Sequence, residues 1–166
     1  MKKIIVAASL VAVVAVGGMA FTALTAAQVP RDEKAVQEAG ESVADAKAIT
    51  IWRDPNCGCC DAYAEYLEAN GFSVTRVDDR DFNKRSIEAG VPQQGIGCHL
   101  AEIDGYFVSG LVPIEIIERL VSEHPDITGI TLPGMPANAP GMAREKTGTL
   151  KTYAFGKGGV TVYSEE

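Results

Sequence analysis

Basic residues are scarce in this chain. Fifteen lysines and arginines face 22 aspartates and glutamates, so the formal net charge at pH 7 is −7. Because nucleic acids are polyanions, this acidic balance excludes nucleic acid as a partner. The 166 residues show no internal repeat beyond a Pro-Gly-Met triplet, which begins at Pro133 and again at Pro140. We therefore expect one domain with a modest core and no second domain.

Charged residues are also absent between Lys3 and Arg31. A positive start, an apolar run and small residues ending at Ala20 or Ala27 are typical of a secretory signal. The same run is long enough to remain as an uncleaved membrane anchor. We predict a signal peptide or N-terminal membrane anchor over residues 1–29, a polar, flexible tether over residues 30–47 and a folded domain over residues 48–166. The domain is then exported to the periplasm and meets the membrane only through its N-terminal segment.

Cysteine is absent outside two short segments. Three thiols occur in Cys57-Gly58-Cys59-Cys60, and the fourth belongs to the pair Cys98-His99. A chain that needed disulfide staples alone would usually spread its cysteines along its length. In an oxidising exported compartment, thiols are held as disulfides, bound to a metal or cycled by a redox partner. The two segments therefore indicate one site with metal or redox chemistry.

Hydrophobic periodicity and turn residues predict the order β-α-β-α-β-β-α for the folded domain. The elements fall at residues 48–53, 60–70, 73–77, 81–89, 100–103, 106–108 and 113–124. With a CxxC between the first strand and the first helix, this order predicts an α/β fold of the thioredoxin-like, more narrowly glutaredoxin-like, class. We expect a sandwich of a four-stranded mixed sheet and flanking helices. A loop over residues 133–142 and a hairpin of residues 150–155 and 160–163 are expected as C-terminal additions.

The thiols of the first segment stand at the predicted start of a helix. The helix dipole and nearby backbone N–H groups lower thiol pKa values there and make good ligands or nucleophiles. Cys59 favours the ligand role, because a dithiol catalyst needs only two thiols and a third invites wrong disulfides. Thiolates and thioethers select Cu(I), which makes Met135 and Met142 further candidate ligands. Zinc bound by three or four cysteines is also chemically sensible.

The residues leave other interpretations open. An exported thiol–disulfide oxidoreductase would use Cys57 as the nucleophile and Cys60 as the resolving thiol. A disulfide from Cys59 or Cys60 to Cys98 would instead fasten the fold of an interaction module. His99 is either a ligand or a packed residue. The two methionines are either thioether ligands or loop anchors that fill gaps in the core.

Several short motifs occur together in a fixed order over residues 48–155. They are Cys57-Gly58-Cys59-Cys60, Gly71-Phe72, Gly90-Val91-Pro92, Cys98-His99, Asp104-Gly105-Tyr106, Val112-Pro113, Pro133-Gly134-Met135-Pro136 and Pro140-Gly141-Met142. This combination resembles the bacterial exported family labelled domain of unknown function 411, and it is far more specific than a lone CxxC. Members of that family are described as metal-binding proteins linked to copper handling and resistance. The resemblance implies the same for this chain.

The resemblance also implies a set of metal ligands and shows one departure. The positions that match the family pattern, and that we take as candidate ligands, are Cys57, Cys59, Cys60, Cys98, His99, Met135 and Met142. Where the family commonly has Gly-His-Val-Pro, this chain has Gly110-Leu111-Val112-Pro113. One imidazole of the family pattern is therefore missing here.

The leading interpretation of the sequence is an exported, non-enzymatic copper-binding protein. It would hold Cu(I) through two or three thiolates, with Cys57 and Cys60 as the first choices, and would buffer the metal or exchange it with an exported donor or acceptor protein. Exposed adjacent thiols let an acceptor enter the coordination sphere, so tight binding and quick release are compatible. Cysteine clusters near a surface also bridge subunits, so the sequence is compatible with a metal-linked dimer.

Overall fold

The computed structural model describes residues 47–143 and 147–166. The predicted signal peptide or anchor over residues 1–29, and the tether up to residue 46, lie outside the described residues. Within the described ranges, no helix is both long and apolar enough to cross a membrane.

Seven strands and three α-helices make up the described part of the chain. In chain order they are β1 (Lys47–Arg53), α1 (Gly58–Ala69), β2 (Phe72–Asp78), α2 (Phe82–Glu88), β3 (His99–Ile103), β4 (Tyr106–Ser109), α3 (Ile114–Glu123), β5 (Gly129–Thr131), β6 (Lys151–Gly156) and β7 (Gly159–Glu165). A single 3₁₀ turn, Gln93–Gly95, precedes β3. The predicted order β-α-β-α-β-β-α is therefore confirmed as far as α3, and so is the added C-terminal hairpin. The first strand begins at Lys47, one residue earlier than expected.

All seven strands join one mixed sheet in the order β2-β1-β3-β4-β5-β6-β7. The prediction of a four-stranded sheet was wrong. The strand missed in the sequence is β5, whose three residues are too few to show a period. It pairs parallel with β4 and antiparallel with β6, and so connects the C-terminal hairpin to the sheet. Gly129 makes this possible, because a Cβ there would lie only 2.8 Å from the carbonyl carbon of Phe107.

The larger core lies on the face of the sheet that carries α1 and α3. Alternation along β1 turns Ile49 and Ile51 to this face, where both side chains are buried. They pack in one cluster with buried residues of α1, such as Leu67, and of α3, such as Ile117 and Leu120. This cluster extends along the sheet to β5 and β6, so the C-terminal strands share the core of the first four.

A smaller cluster covers the opposite face of the sheet. It contains Leu100, Phe155 and Val91, with Trp52 packed against them. The guanidinium of Arg85 in α2 stacks over the Trp52 ring at 5.0 Å. Because α2 lies on this face and the other two helices lie on the first, the sheet is sandwiched between helices.

Candidate metal centre

The first three cysteines stand at the N-terminus of α1. Cys57 is the N-cap residue, and its N–H group donates a hydrogen bond of 3.0 Å to the carbonyl of Asp54 at the end of β1. The carbonyl of Cys57 accepts bonds from the N–H groups of Cys60 and Asp61 at 3.1 and 3.2 Å. The chain therefore turns directly from strand to helix with the thiols on the turn. The positive end of the helix dipole faces them, as the sequence predicted.

Arg53 forms ion pairs with residues on both sides of this turn. Its guanidinium makes ion pairs of 2.8 Å with Asp61 in α1 and with Asp78 at the end of β2. The Arg53 side chain is only 12% exposed, whereas those of Asp61 and Asp78 are 43% and 68% exposed. Arg53 thus links the first turn of α1 to the ends of β1 and β2.

Directly before Cys98, the backbone passes very close to the segment that follows β4. A Cβ built on Gly97 would lie 2.5 Å from the backbone nitrogen of Gly110. Gly110 has φ +81°, and a Cβ there would lie 3.3 Å from the carbonyl carbon of Leu132. The N–H of Gly97 also donates to the Ser109 hydroxyl at 3.0 Å. This Gly97–Gly110 crossing holds the residue before Cys98 against the segment that follows β4.

The four cysteine sulfurs form one compact cluster. All four Sγ atoms lie within 4.8 Å of one another. Cys57 and Cys60 form a disulfide, and the Cys57 and Cys59 sulfurs are 3.3 Å apart. Cys59 and Cys98 are free thiols. Cys60 and Cys98 are buried, whereas Cys57 and Cys59 are partly exposed, so the cluster has an inner and an outer side.

Burial governs the protonation of the inner thiol. Desolvation, and after it the neighbouring Cys59, raise the pKa of the Cys98 thiol well above its usual range. Cys98 is therefore a neutral thiol in the protein without metal. A metal ion that binds there must displace its proton, and the gain of metal–sulfur bonding must outweigh that cost.

His99 lies directly behind Cys98. Its ring is completely buried, and Nδ1 is 3.5 Å from the Cys98 sulfur. The ring packs on Tyr63 with centroids 4.9 Å apart, while Nε2 has no hydrogen-bond partner. Burial lowers the pKa of His99 to about 3, so the imidazole is neutral. The structure thus places His99 beside the cluster, as a neutral imidazole whose Nδ1 faces the Cys98 sulfur.

Met135 covers the outer side of the cluster. Its Sδ atom is 3.8 Å from the Cys59 sulfur. The preceding Gly134 pairs with Gly97 and donates its N–H to the carbonyl of Ile96 at 3.3 Å. The segment that carries Met135 is therefore hydrogen-bonded to the segment that leads into Cys98. The loop thus brings a thioether to the thiols.

Met142 occupies a different position. Its side chain is 44% exposed and lines a separate depression on the outer side of α1, together with Ala62 and Tyr66. Its neighbour Gly141 contacts the thiol-bearing turn instead, since a Cβ there would lie 2.6 Å from the carbonyl oxygen of Cys59. The second Pro-Gly-Met triplet thus approaches the site through its glycine. Of the seven candidate ligands, four form the compact cluster, His99 and Met135 each lie beside one of its sulfurs, and Met142 lies apart.

The sequence did not reveal the backbone crossing, and it left the role of Leu111 open. Leu111 is fully buried in the larger core, where the family pattern has a histidine. Gly97 and Gly110 are the positioning residues that sequence reasoning missed. Gly110 was visible as the first residue of Gly110-Leu111-Val112-Pro113, but no local pattern pairs it with Gly97, 13 positions earlier in the chain.

The fold and the site together define a mixed α/β protein with a cysteine-rich cluster at a helix N-terminus. The family described as "Protein of unknown function, DUF411" matches residues 95–142. Two solved structures named "Copper resistance protein copG", Form 2 and Form 1, are 37% identical to this chain, with TM-scores of 0.67 and 0.66. Each covers 74% of this chain, and the match spans 99% and 98% of the respective structure. No curated protein matches the chain.

These matches are close enough and long enough to assign the family. The chain belongs to the copper-linked DUF411 family, as the motif resemblance predicted. Its solved relatives carry copper resistance in their name, and its own thiols form a cluster of the kind that binds soft metals.

Proposed function

We propose that this protein is exported and binds Cu(I) as cargo at the cysteine cluster, either to buffer the ion or to exchange it with an exported partner protein. The observation that carries the proposal is the convergence of four sulfurs within 4.8 Å from segments 38 residues apart, with a fifth sulfur from Met135 beside them. Within the described residues, this is the one group of three or more cysteine, histidine or acidic side chains close enough to share a metal ion.

The donor set favours Cu(I) over zinc. The thiolates alone do not distinguish the two ions, because zinc and Cu(I) both bind cysteine sulfur. A thioether separates the two, because methionine sulfur is a ligand for Cu(I) and is absent from the usual zinc ligands. The Met135 Sδ atom lies 3.8 Å from the Cys59 sulfur, on the outer side of the cluster. There it would add a thioether to the thiolate ligands. The copper-resistance name of the relatives supports the same choice.

The inner and outer sides of the cluster suit a carrier. Cys60 and Cys98 are buried and would retain the ion, whereas Cys57 and Cys59 are partly exposed and are open to attack by a partner's thiols. An acceptor would enter from the outer side and replace the exposed ligands first. His99 would stay behind Cys98 as a neutral imidazole, either as an inner ligand or as a support for the thiolate.

The disulfide sets a condition on binding. Cys57 and Cys60 are joined, and a disulfide offers no thiolate to a metal. Two electrons and two protons convert it to two thiols, and binding of Cu(I) then releases thiol protons. The reduced protein is therefore the copper-binding form, and an exported reductant has to supply the electrons.

We include a thioredoxin-like core in the proposal. Strands β2, β1, β3 and β4 lie side by side, with β1 parallel to β2 and antiparallel to β3, and β3 antiparallel to β4. This arrangement supports the expected glutaredoxin-like unit. Strands β5 to β7 then extend the sheet beyond β4.

Competition for Cu(I) tests the function. We expect the reduced full-length protein, titrated anaerobically against a chromophoric Cu(I) chelator, to bind copper stoichiometrically and to protect its thiols from alkylation. Cys57→Ser with Cys60→Ser should abolish tight binding while the circular dichroism spectrum stays unchanged. Ala62→Ser, a serine substitution in the same helix that removes no thiol, is the matched control and should bind as the unaltered protein does. Tight binding by the double variant would refute the assignment.

One observation favours a second candidate function, the exported thiol–disulfide oxidoreductase. The Cys57–Cys60 disulfide joins the two thiols that such an enzyme would use, and Cys57 is partly exposed to an incoming substrate. This candidate predicts catalysis of insulin reduction, and a trapped mixed disulfide at Cys57 when Cys60 is replaced by serine. Failure to compete for Cu(I), together with insulin reduction above the uncatalysed rate, would replace the copper proposal with this one.

A further inference from the structure

Among the described strands, β2 and β7 form the two edges of the sheet, and these edges differ in character. The β2 edge carries charged side chains: Arg76 is paired with Glu68 at 2.6 Å and Asp78 with Arg53 at 2.8 Å. The β7 edge carries Val160 and Val162, which are 50% and 54% exposed. Natural proteins usually guard a sheet edge with charge, proline or a covering loop. The two exposed valines therefore mark β7 as an edge suited to pairing.

At the two valines, the backbone N–H and C=O groups of β7 also point away from β6. The carbonyl of Phe155 in β6 accepts the N–H of Thr128 at 2.9 Å, so the backbone of Phe155 faces β5. Val160 lies opposite Phe155, and Val162 lies opposite Tyr153 two residues along β6. In an antiparallel pair, residues opposite such positions direct their N–H and C=O groups away from the shared ladder. Val160 and Val162 therefore direct their backbone groups to the side of β7 on which no further described strand lies.

We propose that β7 pairs antiparallel with β7 of a second copy of this chain, so that two sheets become one continuous sheet. Only one register pairs both outward-facing valines with valines: Val160 lies opposite Val162 of the second copy, and Thr161 lies on the two-fold axis. A two-fold contact of this kind uses the same strand twice and closes on itself. The pairing satisfies four backbone N–H groups and brings four valine side chains together on one face.

Charge complementarity supports the same register. One face of β7 carries Val160, Val162 and Glu165. Their partners in β6 are Phe155, Tyr153 and Lys151, which are every second residue of that strand and therefore lie on one face. The register brings the turn that carries Lys157 alongside Glu165 of the second copy, once on each side of the axis. Glu165 already bonds Lys151 at 2.7 Å, so it would then lie between two lysines. Opposite charges close to each other across strands favour a pairing, whereas like charges oppose it.

The proposed contact is distant from the cysteines. β7 lies five strand positions from β1 in the sheet order, which is roughly 24 Å at about 4.8 Å per strand. The dimer should therefore form without metal and without an intermolecular disulfide. In this it differs from a dimer linked through a shared metal ion.

Sedimentation velocity over a range of protein concentrations tests the proposal. The full chain is expressed and purified after any processing by its host cell. It is kept metal-free and reduced so that no metal or disulfide can link two copies. We expect a concentration-dependent dimer. Val160→Lys with Val162→Lys should weaken it at least about tenfold, because lysine is a residue with which natural edges block pairing. Thr75→Lys, at an exposed position on the β2 edge, is the matched control and should leave the dimer unchanged.

A cross-link tests the register separately. In the proposed register Thr161 lies opposite Thr161 of the second copy. The Cα atoms of such a pair are about 4.5 Å apart, which suits a disulfide between cysteines. Thr161→Cys should therefore give a covalent dimer on mild oxidation, with a 161–161 bond identified by mass spectrometry, and Thr75→Cys should give none. A monomer at every soluble concentration would overturn the proposal, including the case in which another segment of the same chain covers the edge. So would a dimer that survives the two lysine substitutions.

Discussion

Replacing Gly97 with alanine offers a sharp test of how the site is built. The added methyl carbon would lie 2.5 Å from the backbone nitrogen of Gly110, about 1 Å closer than an ordinary contact. The atoms on the far side of the contact belong to backbone, which cannot rotate away as a side chain can. The segment that leads into Cys98 and the segment after β4 would have to separate.

The expected magnitude follows from this overlap. Overpacking a tight interior costs about 1–3 kcal/mol, and a clash between two backbones belongs at the upper end, so we expect a loss of about 3 kcal/mol in the free energy of unfolding. For a domain of this size that corresponds to a melting temperature lower by about 12 °C. A shift of about 1 Å at Cys98 also spoils the sulfur cluster, and we expect Cu(I) affinity to fall about tenfold, equivalent to about 1.4 kcal/mol.

Gly58→Ala supplies the matched control. Gly58 lies inside the Cys-Gly-Cys-Cys motif, yet a Cβ there would meet nothing within 4 Å, and its φ is not positive. Alanine in the first turn of a helix costs less backbone entropy than glycine, so Gly58→Ala should leave stability unchanged or raise it by up to about 1 kcal/mol. Thermal and urea unfolding of the reduced, metal-free proteins, with a Cu(I) competition assay, measure both effects. Equal stability of the two variants would refute the argument from the Gly97–Gly110 crossing.

Three further outcomes follow from the site. Met135→Leu should weaken Cu(I) binding about tenfold, because its sulfur faces Cys59, whereas Met142→Leu should change it less than about threefold; competition titration measures both. In the unfolded chain a histidine takes up a proton below about pH 6.5, whereas buried His99 in the folded protein does so only near pH 3. The free energy of unfolding of the metal-free protein should therefore fall as the pH drops from about 6.5 towards 3. The contribution of His99 is about 1.4 kcal/mol per pH unit, and His99→Gln should remove it, as urea unfolding at several pH values would show. In the oxidised protein, iodoacetamide should modify Cys59 at least about tenfold faster than Cys98, because Cys98 is buried and its pKa is raised; mass spectrometry of the labelled peptides gives the rates.

Each of these outcomes has a result that contradicts it. Equal losses of copper affinity in the two methionine variants would mean that Met135 is no closer to the bound ion than Met142. Identical pH slopes for His99→Gln and the unaltered protein would show that His99 is hydrated in solution. Equal labelling of Cys59 and Cys98 would mean that the inner side of the cluster is open to solvent.

Much of the fold was predictable because its first half follows local rules. The alternation of Ile49 and Ile51 indicates a buried strand, and Asn70-Gly71 indicates the end of the first helix; both are found where expected. Residues 129–131 gave no such signal, because a three-residue strand has no measurable period and its pairing depends on Gly129 fitting against Phe107. The size of the sheet therefore could not be read from local pattern.

The candidate ligands were predictable as residue types, but their arrangement was not. Sulfur is rare enough in the chain that its clustering indicates soft-metal or redox chemistry directly. The two Pro-Gly-Met triplets look alike in sequence, yet one presents its methionine to Cys59 and the other presents its glycine. The difference arises because Gly134 bonds to the segment before Cys98, whereas Gly141 packs on the carbonyl of Cys59.

The sequence by itself determined the chemistry available to this protein: three thiols before a helix, a fourth beside a histidine, and the family to which the chain belongs. These follow from residue identity and short-range order. Only the tertiary structure decided that Cys98 lies beside the first turn of α1, that Cys60 and Cys98 form the inner side of the cluster, and that β7, with two exposed valines, is the last described strand of the sheet. Those facts depend on contacts between residues far apart in the chain, such as Gly97 with Gly110, whose close approach is dictated by the packing of the whole sheet.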